Sequence, residues 1–93
     1  MKNGIYRYER GQNPYDEGTL VVEARETEKS LILTVKERNM RYSTYVDVLF
    51  GKKTEIRISK ENSPHSLTMG EEWFVVYPNR MGCPLTFGLQ KGE

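Results

Sequence analysis

The sequence predicts an all-β fold, a small antiparallel barrel or two-layer sandwich of SH3-like or OB-like shape with about six to seven short strands. Turn-forming residues recur roughly every eight to twelve positions between short β-branched and aromatic runs, which is the spacing of short strands. The apolar positions of successive runs also share one face when the runs are paired as hairpins. With 93 residues and 37% hydrophobic content, the chain can build one modest core, so we expect a single domain spanning residues 1–93.

The predicted strands follow one another along the chain with turn signals between them: Gly4 to Glu9, Thr19 to Glu26, Leu31 to Arg38, Arg41 to Phe50, Thr54 to Ser59, Glu71 to Tyr77 and Leu85 to Leu89. An alternative is a helix through Leu20 to Arg38. The high Val and Thr content of that segment disfavours a helix, and Glu26 to Ser30 interrupts any apolar stripe of helical spacing.

The first predicted hairpin of the central sheet joins the second and third strands through a short turn around Glu28 and Lys29. This turn places Ala24 opposite Leu33 and Val22 opposite Val35. Residues directly opposite each other in an antiparallel pair point to the same face, so these apolar side chains line one surface.

The next hairpin is predicted to turn at Asn39-Met40, since Asn tolerates the positive φ of a two-residue turn. Its pairs would be Val35 with Thr44, Leu33 with Val46 and Leu31 with Val48. A three-residue loop at Gly51 to Lys53 then sets Val48 opposite Ile56 and Val46 opposite Ile58, whereas a two-residue loop would oppose Ile56 to Asp47. The predicted meander from Thr19 to Ser59 has this inner face: Leu20, Val22, Ala24, Leu31, Leu33, Val35, Val46, Val48, Ile56 and Ile58.

The two ends of the chain carry the remaining apolar residues. A sheet with one apolar face must bury that face against another element. The first strand contributes Ile5, Tyr6 and Tyr8, and the last two strands contribute Trp73 to Tyr77, Leu85 and Phe87. We therefore expect the ends to close the barrel or form the second layer. Ser63 to Ser66 is predicted to form a single helical turn before the strand at Trp73, with Ser63 as cap and Pro64 at its first position.

Charge and composition limit the setting in which the protein acts. The formal net charge is +1, so charge alone predicts neither a nucleic-acid nor a membrane partner. A single cysteine, Cys83, excludes an intramolecular disulfide, and Met1 to Arg7 lacks the apolar run of a signal peptide. The longest apolar runs are far shorter than the ~20 residues that span a bilayer. We therefore expect a soluble, cytoplasmic protein with no membrane partner.

The inventory of catalytic residues is poor, with His65 the only histidine and Cys83 the only thiol. The chain has no paired zinc-ligand spacing and no Gly-rich phosphate loop, so we expect no metal and no cofactor. The ordinary interpretation of His65 is a solvated loop residue, and that of Cys83, between Gly82 and Pro84, is a small buried thiol.

A catalytic alternative is a small ribonuclease-like toxin that works with one histidine on a sheet. His65 would be the acid, Glu55 or Glu71 the base, and Arg57 the group that holds the phosphate. Acidic and basic residues alternate along many of these strands, so such a set also arises by chance.

Charge is distributed unevenly along the chain. Residues 31–60 carry seven basic residues against three acidic ones, a local balance of +4, and residues 61–79 have a balance of −3. The predicted outward sheet face carries a candidate single-stranded nucleic-acid surface, in which Tyr45 would stack on bases and basic residues would contact phosphates: Lys36, Arg38, Arg41, Tyr45 and Arg57, beside Thr34, Ser43 and Ser59. The alternative is a solvated face that protects against aggregation, with Asp47 and Arg57 as a cross-strand ion pair.

Two turn-rich loops expose residue types that are common at protein interfaces. Asn13 to Gly18 displays Tyr15, and Tyr77 to Pro84 displays Arg80 and Met81. The alternative is that these residues plug a small core. We expect a non-enzymatic protein-binding module, such as an inhibitor, adaptor or assembly factor, or a chain that self-associates. A single-stranded nucleic-acid binder and a small ribonuclease are the alternatives.

Overall fold

The computed structural model describes residues 1–11 and 13–91, and its strands form one curled antiparallel sheet that makes a half-barrel. The strands are β1 Gly4–Glu9, β2 Asp16–Glu26, β3 Ser30–Ser43, β4 Glu55–Ser59, β5 Ser66–Met69, β6 Trp73–Tyr77 and β7 Leu85–Leu89, with a helix, α1, at Thr44–Phe50 and a 3-10 turn at Pro78–Arg80. The sheet order is β4-β3-β2-β1-β7-β6-β5. The predicted all-β barrel-like fold is confirmed.

The two ends of the chain meet in the middle of the sheet, where β1 pairs with both β2 and β7. In β1 the buried Tyr6 and Tyr8 alternate with exposed neighbours, as expected for a strand with one face on a core. Phe74 stacks on Phe87 with ring centroids 4.7 Å apart, and Tyr6 lies 5.2 Å from Phe74. The aromatic residues of the termini therefore cover the core, and β1 and β7 have the predicted bounds.

The hairpin of β2 and β3 has the predicted register over its apolar half, with Ala24 opposite Leu33 and Val22 opposite Val35. Beyond these pairs an irregularity between Val21 and Val22 shifts the register, so that the fully buried Leu20 lies opposite Arg38. Since opposed residues share a face, the bulge turns Arg38 toward the core side of the sheet.

The predicted turn at Asn39-Met40 and the strand from Arg41 to Phe50 are wrong. Strand β3 continues to Ser43, and the following residues form α1. The buried side chains of α1 are those of Val46, Leu49 and Phe50, which recur at helical spacings of three and four, while Val48 is 38% exposed. Val46 therefore belongs to the core as predicted, and Val48 does not.

Strand β4 occupies the place beside β3 that was predicted for the segment now in α1. Ile56 lies opposite Leu33 and Ile58 opposite Leu31, so the predicted pairs of Val46 and Val48 with both strands are wrong. The apolar face of β3 is therefore continued by β4, the next strand in the sequence. Helix α1 and residues 51–54 connect the end of β3 to the start of β4.

The predicted helical turn at Ser63 to Ser66 is also absent from the described chain. The Ser63 hydroxyl oxygen instead accepts a hydrogen bond from the His65 amide, 3.0 Å away, and Ser66 begins β5, a strand that the sequence did not predict. The core-facing residues of β5 lie opposite those of β6, with Leu67 opposite Val76 and Met69 opposite Phe74. No helix within residues 1–11 and 13–91 is long and apolar enough to cross a membrane.

Candidate functional site

The five residues of the predicted basic and aromatic sheet face belong to different parts of the fold. The Lys36 ammonium lies 3.4 Å from a Glu23 carboxylate oxygen. The Arg38 guanidinium donates to the Gly51 carbonyl at 2.8 Å and forms an ion pair with Asp47, so it holds the end of α1. Both side chains therefore have partners within the protein.

The other residues of that predicted face lie elsewhere. The Arg41 guanidinium lies 5.4 Å from the centre of the Tyr42 ring, and Arg57 is exposed on the edge strand β4. Because Asp47 pairs with Arg38, the predicted Asp47–Arg57 ion pair does not form. Tyr45 lies in the first turn of α1, where it is half-buried. The structure therefore does not present one continuous basic surface around Tyr45.

Tyr45 lies instead beside Tyr15, a residue of the predicted interface loops. Their ring centroids are 5.9 Å apart in an edge-on arrangement. A side-chain hydrogen bond with Cys83 raises the pKa of Tyr45 above its ordinary value. Met81 follows the 3-10 turn, which packs against α1. We call Tyr15, Tyr45, Met81 and Cys83 the aromatic end of the molecule.

A buried polar network holds the two loops of the aromatic end together. The Asn13 side-chain amide donates to an Asp16 carboxylate oxygen and to the Pro84 carbonyl, both at 3.1 Å, and its oxygen accepts from the Tyr15 amide at 2.9 Å. The Tyr8 hydroxyl donates to the Asp16 carbonyl at 2.8 Å, and burial raises the pKa of Tyr8 to about 12. The loop around Tyr15 is thus fixed to the loop around Pro84.

Asp16 also determines where α1 begins. Its fully buried carboxylate accepts hydrogen bonds from the backbone amides of Tyr45 and Val46, each as close as 2.9 Å. A helix leaves its first amides without partners inside the helix, and a carboxylate at that end satisfies them. Asp16 therefore positions Tyr45 against Tyr15.

Two apolar side chains of the aromatic end are accessible to solvent. Tyr15 is 51% exposed and Met81 is 44% exposed. These two side chains do not plug the core, in contrast to the second interpretation of the loops. Arg80 has a partner of its own, since its guanidinium donates to the Ser63 carbonyl at 3.3 Å.

Two adjoining clefts lie on the open side of the half-barrel, and His65 lines both. One, of about 260 Å³, lies along β5 and the segment before it, and its polar lining includes Lys60, Glu61 and Arg80. The other, of about 240 Å³, lies along β4 and is lined by Leu49, Lys53, Glu55, Ile56, Arg57, Ile58 and His65. The structure thus brings together His65, Glu55 and Arg57 of the ribonuclease hypothesis; Glu71 does not line either cleft.

The environments of His65 and Cys83 differ from the expected ones. His65 is half-buried, its Nδ1 accepts a hydrogen bond from the Asn79 amide at 2.9 Å, and desolvation lowers its pKa. Cys83 is a free thiol, also half-buried. In the part of the chain that the structure describes, no group of three or more His, Cys, Asp or Glu residues is arranged to hold a metal ion.

No family model matches the chain, and no curated protein or solved structure shows significant similarity to it.

Sequence reasoning missed the residues that build the aromatic end. Asn13 and Asp16 are buried at 3% and 0% exposure, yet they lie in a stretch that looks like an exposed polar loop. The available signal was an Asx residue two positions before Tyr15 in a Pro-containing turn, which is the arrangement of an Asx turn.

Proposed function

We propose that this chain is a small, non-enzymatic protein-binding module that docks through the aromatic end. The observation that carries the proposal is the exposure of Tyr15 and Met81, together with the edge-on packing of the Tyr15 ring against Tyr45. Tyr and Met are enriched at protein interfaces.

The rigidity of this surface supports the same function. The Asn13 and Asp16 side chains hold both loops through buried hydrogen bonds, so Tyr15 is already ordered before a partner arrives. Ordering a loop on binding costs free energy, and a preformed surface avoids much of that cost. We place this function in the cytoplasm, because the chain has one cysteine and a free thiol persists best in a reducing compartment.

The nucleic-acid alternative has less support. A stacking surface requires Tyr45 to lie among basic groups that are available for phosphates. Lys36 and Arg38 are engaged by Glu23 and Asp47, and Tyr45 faces Tyr15 and Cys83.

The ribonuclease alternative requires His65 as an acid, that is, as an imidazolium. The Asn79 amide donates to Nδ1, and a protonated Nδ1 would oppose that donor. Burial lowers the pKa of His65 further. Both features favour a neutral imidazole near pH 7, so a non-enzymatic function is better supported.

The test compares proteins retained from the native lysate by the immobilised full chain and by its variants, with and without nuclease treatment. Tyr15→Ala and Met81→Ala should each weaken retention of the same partner by more than about 1 kcal/mol, measured afterwards by titration with that purified partner. Ile5→Thr is the control, because Ile5 is an exposed apolar residue, 36% accessible, on β1.

Self-association is measured in the same series by sedimentation over a range of concentrations. A dimer that dissociates in Tyr15→Ala identifies a second copy as the partner and supports the proposal. Retention that disappears with nuclease, or that is equal for wild type and both variants, would refute docking through the aromatic end.

A further inference from the structure

The open side of the half-barrel follows from the number and direction of its strands. Neighbouring strands are antiparallel throughout the seven-stranded sheet, so the two edge strands, β4 and β5, run in the same direction. Within residues 1–11 and 13–91 no ladder joins them. Residues 60–65 connect the end of β4 to the start of β5 and must run back along this side, which brings His65 beside β4 and creates the cleft lined by Lys53, Arg57 and His65.

The cleft beside β4 contains two cations, Lys53 and Arg57. Among the described residues, neither the Lys53 ammonium nor the Arg57 guanidinium has an ion pair or a side-chain hydrogen bond. In the adjoining cleft, by contrast, Lys60 is bonded to Glu26 at 2.6 Å and Arg80 to the Ser63 carbonyl. Positive charge is therefore available on the β4 side of His65.

His65 adds a neutral donor to these cations. Its Nδ1 accepts a hydrogen bond from the Asn79 amide, so the proton of the neutral ring resides on Nε2. His65 lines both clefts. The cleft beside β4 is thus lined by Lys53, Arg57 and His65 together with the apolar Leu49 and Ile56.

We propose that the cleft between β4 and His65 binds a phosphate group through Lys53, Arg57 and Nε2–H of His65. The three donors come from three segments, the loop before β4, β4 itself and the loop before β5. Several donors suit a tetrahedral anion with several acceptor oxygens, and a guanidinium can bind two of those oxygens at once. This site is separate from the aromatic end, so it adds a ligand to the proposed protein-binding module.

One acidic residue in the cleft should weaken phosphate binding, so its substitution should change the affinity in the opposite direction from substitution of the cations. Glu55 lines the same cleft, and its carboxylate accepts a hydrogen bond of 3.3 Å from the Thr34 hydroxyl. A carboxylate near a bound phosphate repels it, so its removal should strengthen binding.

The experiment titrates the full chain with inorganic phosphate and pyrophosphate and observes the imidazole nitrogens by NMR. The chain contains one histidine, so the imidazole signals belong to His65. The Nε2 resonance should shift on binding. Arg57→Gln and Lys53→Gln should each weaken binding by about three- to tenfold, and Glu55→Gln should strengthen it. Arg7→Gln, an exposed arginine on β1, is the matched control and should change nothing.

A mononucleotide and a short single-stranded oligonucleotide identify the source of the phosphate. Tighter binding of the oligonucleotide, lost in Arg57→Gln, would indicate a nucleic-acid backbone, and tighter binding of the mononucleotide or pyrophosphate a small phosphorylated molecule. Absence of any shift at His65, or equal affinity of wild type and Arg57→Gln, would overturn the proposal. Tyr15→Ala should leave phosphate binding unchanged, so the phosphate site and the protein-binding function can fail independently.

Discussion

The hairpin of β2 and β3 and the helix α1 both contain alternating apolar residues, and the chain folds them differently. In the hairpin, Val22 and Ala24 find their predicted partners across a short turn. In α1, the backbone amides of Tyr45 and Val46 donate hydrogen bonds to the carboxylate of Asp16, which is 29 residues away from Tyr45 in the sequence. A local pattern is therefore sufficient where the partner is the adjacent strand, and it fails where a distant side chain satisfies the backbone.

The largest expected effect distinguishes between a strand and a helix at residues 44–50. In a strand Val46 and Val48 would share a face, whereas in α1 Val46 is fully buried and Val48 is 38% exposed. Val46→Asp should unfold the protein, since an unpaired buried charge costs several kcal/mol out of a total of roughly 5 to 10 kcal/mol. Val48→Asp should cost less than about 1 kcal/mol. Urea denaturation of both variants measures this, and similar losses would contradict the helix.

The next effect concerns Asp16, which connects the two regions. Asp16→Ala leaves the Tyr45 and Val46 amides without their acceptor and should cost about 2 to 3 kcal/mol. Asp16→Asn should cost less, because its amide oxygen still accepts one bond. Hydrogen exchange should accelerate at Tyr45 and Val46 more than at Leu33 in β3. Uniform acceleration along the chain would show that α1 and the hairpin unfold together.

A smaller effect is expected at the irregular end of the hairpin. Gly18 has a φ of 141°, and a Cβ there would lie 2.6 Å from the Asn39 carbonyl oxygen, too close for any side chain. Gly18→Ala should therefore cost about 1 to 3 kcal/mol. Gly82→Ala, where a Cβ would meet nothing within 4 Å, should be within about 0.5 kcal/mol of wild type. Thermal denaturation compares the two, and a harmless Gly18→Ala would mean that β3 can shift its register.

The smallest expected effect is a pH dependence at the regular end of the hairpin. A hydrogen bond from Lys60, and a second from the N-terminal amino group, lower the pKa of Glu26 below its ordinary value of 4.5. A lowered pKa in the folded state stabilises the protein above pH 4.5, and this contribution is lost as the pH falls through the folded pKa. Glu26→Gln should therefore cost up to about 1 kcal/mol at pH 7, and this cost should shrink as the pH falls below 4.5, as measured by urea midpoints. The control is Glu28→Gln, and an equal pH slope in both variants would argue against the ion pairs.

In the candidate sites too, the residues placed by their sequence neighbours were predicted correctly, whereas those placed by distant parts of the chain were not. Tyr15 and Met81 were predicted as exposed loop residues, because Pro and Gly next to them prevent regular structure. The basic residues that were predicted to surround Tyr45 lie elsewhere in the fold. Helix α1 places Tyr45 beside Tyr15, and the bulge at Val21 and Val22 turns Arg38 toward the core side of the sheet. No local pattern indicates a bulge or a helix cap that comes from another strand.

The amino-acid sequence by itself determined the all-β class, the bounds of β1 and β7 and the apolar pairing of β2 with β3, because a two-residue period and adjacent turns specify these features locally. The tertiary structure alone decided that β3 continues to Ser43, that α1 follows it, and that His65 lies beside Arg57 on the open side of the sheet. These features depend on backbone amides and side chains that find their partners across the fold, where free energy is gained only after the chain has closed.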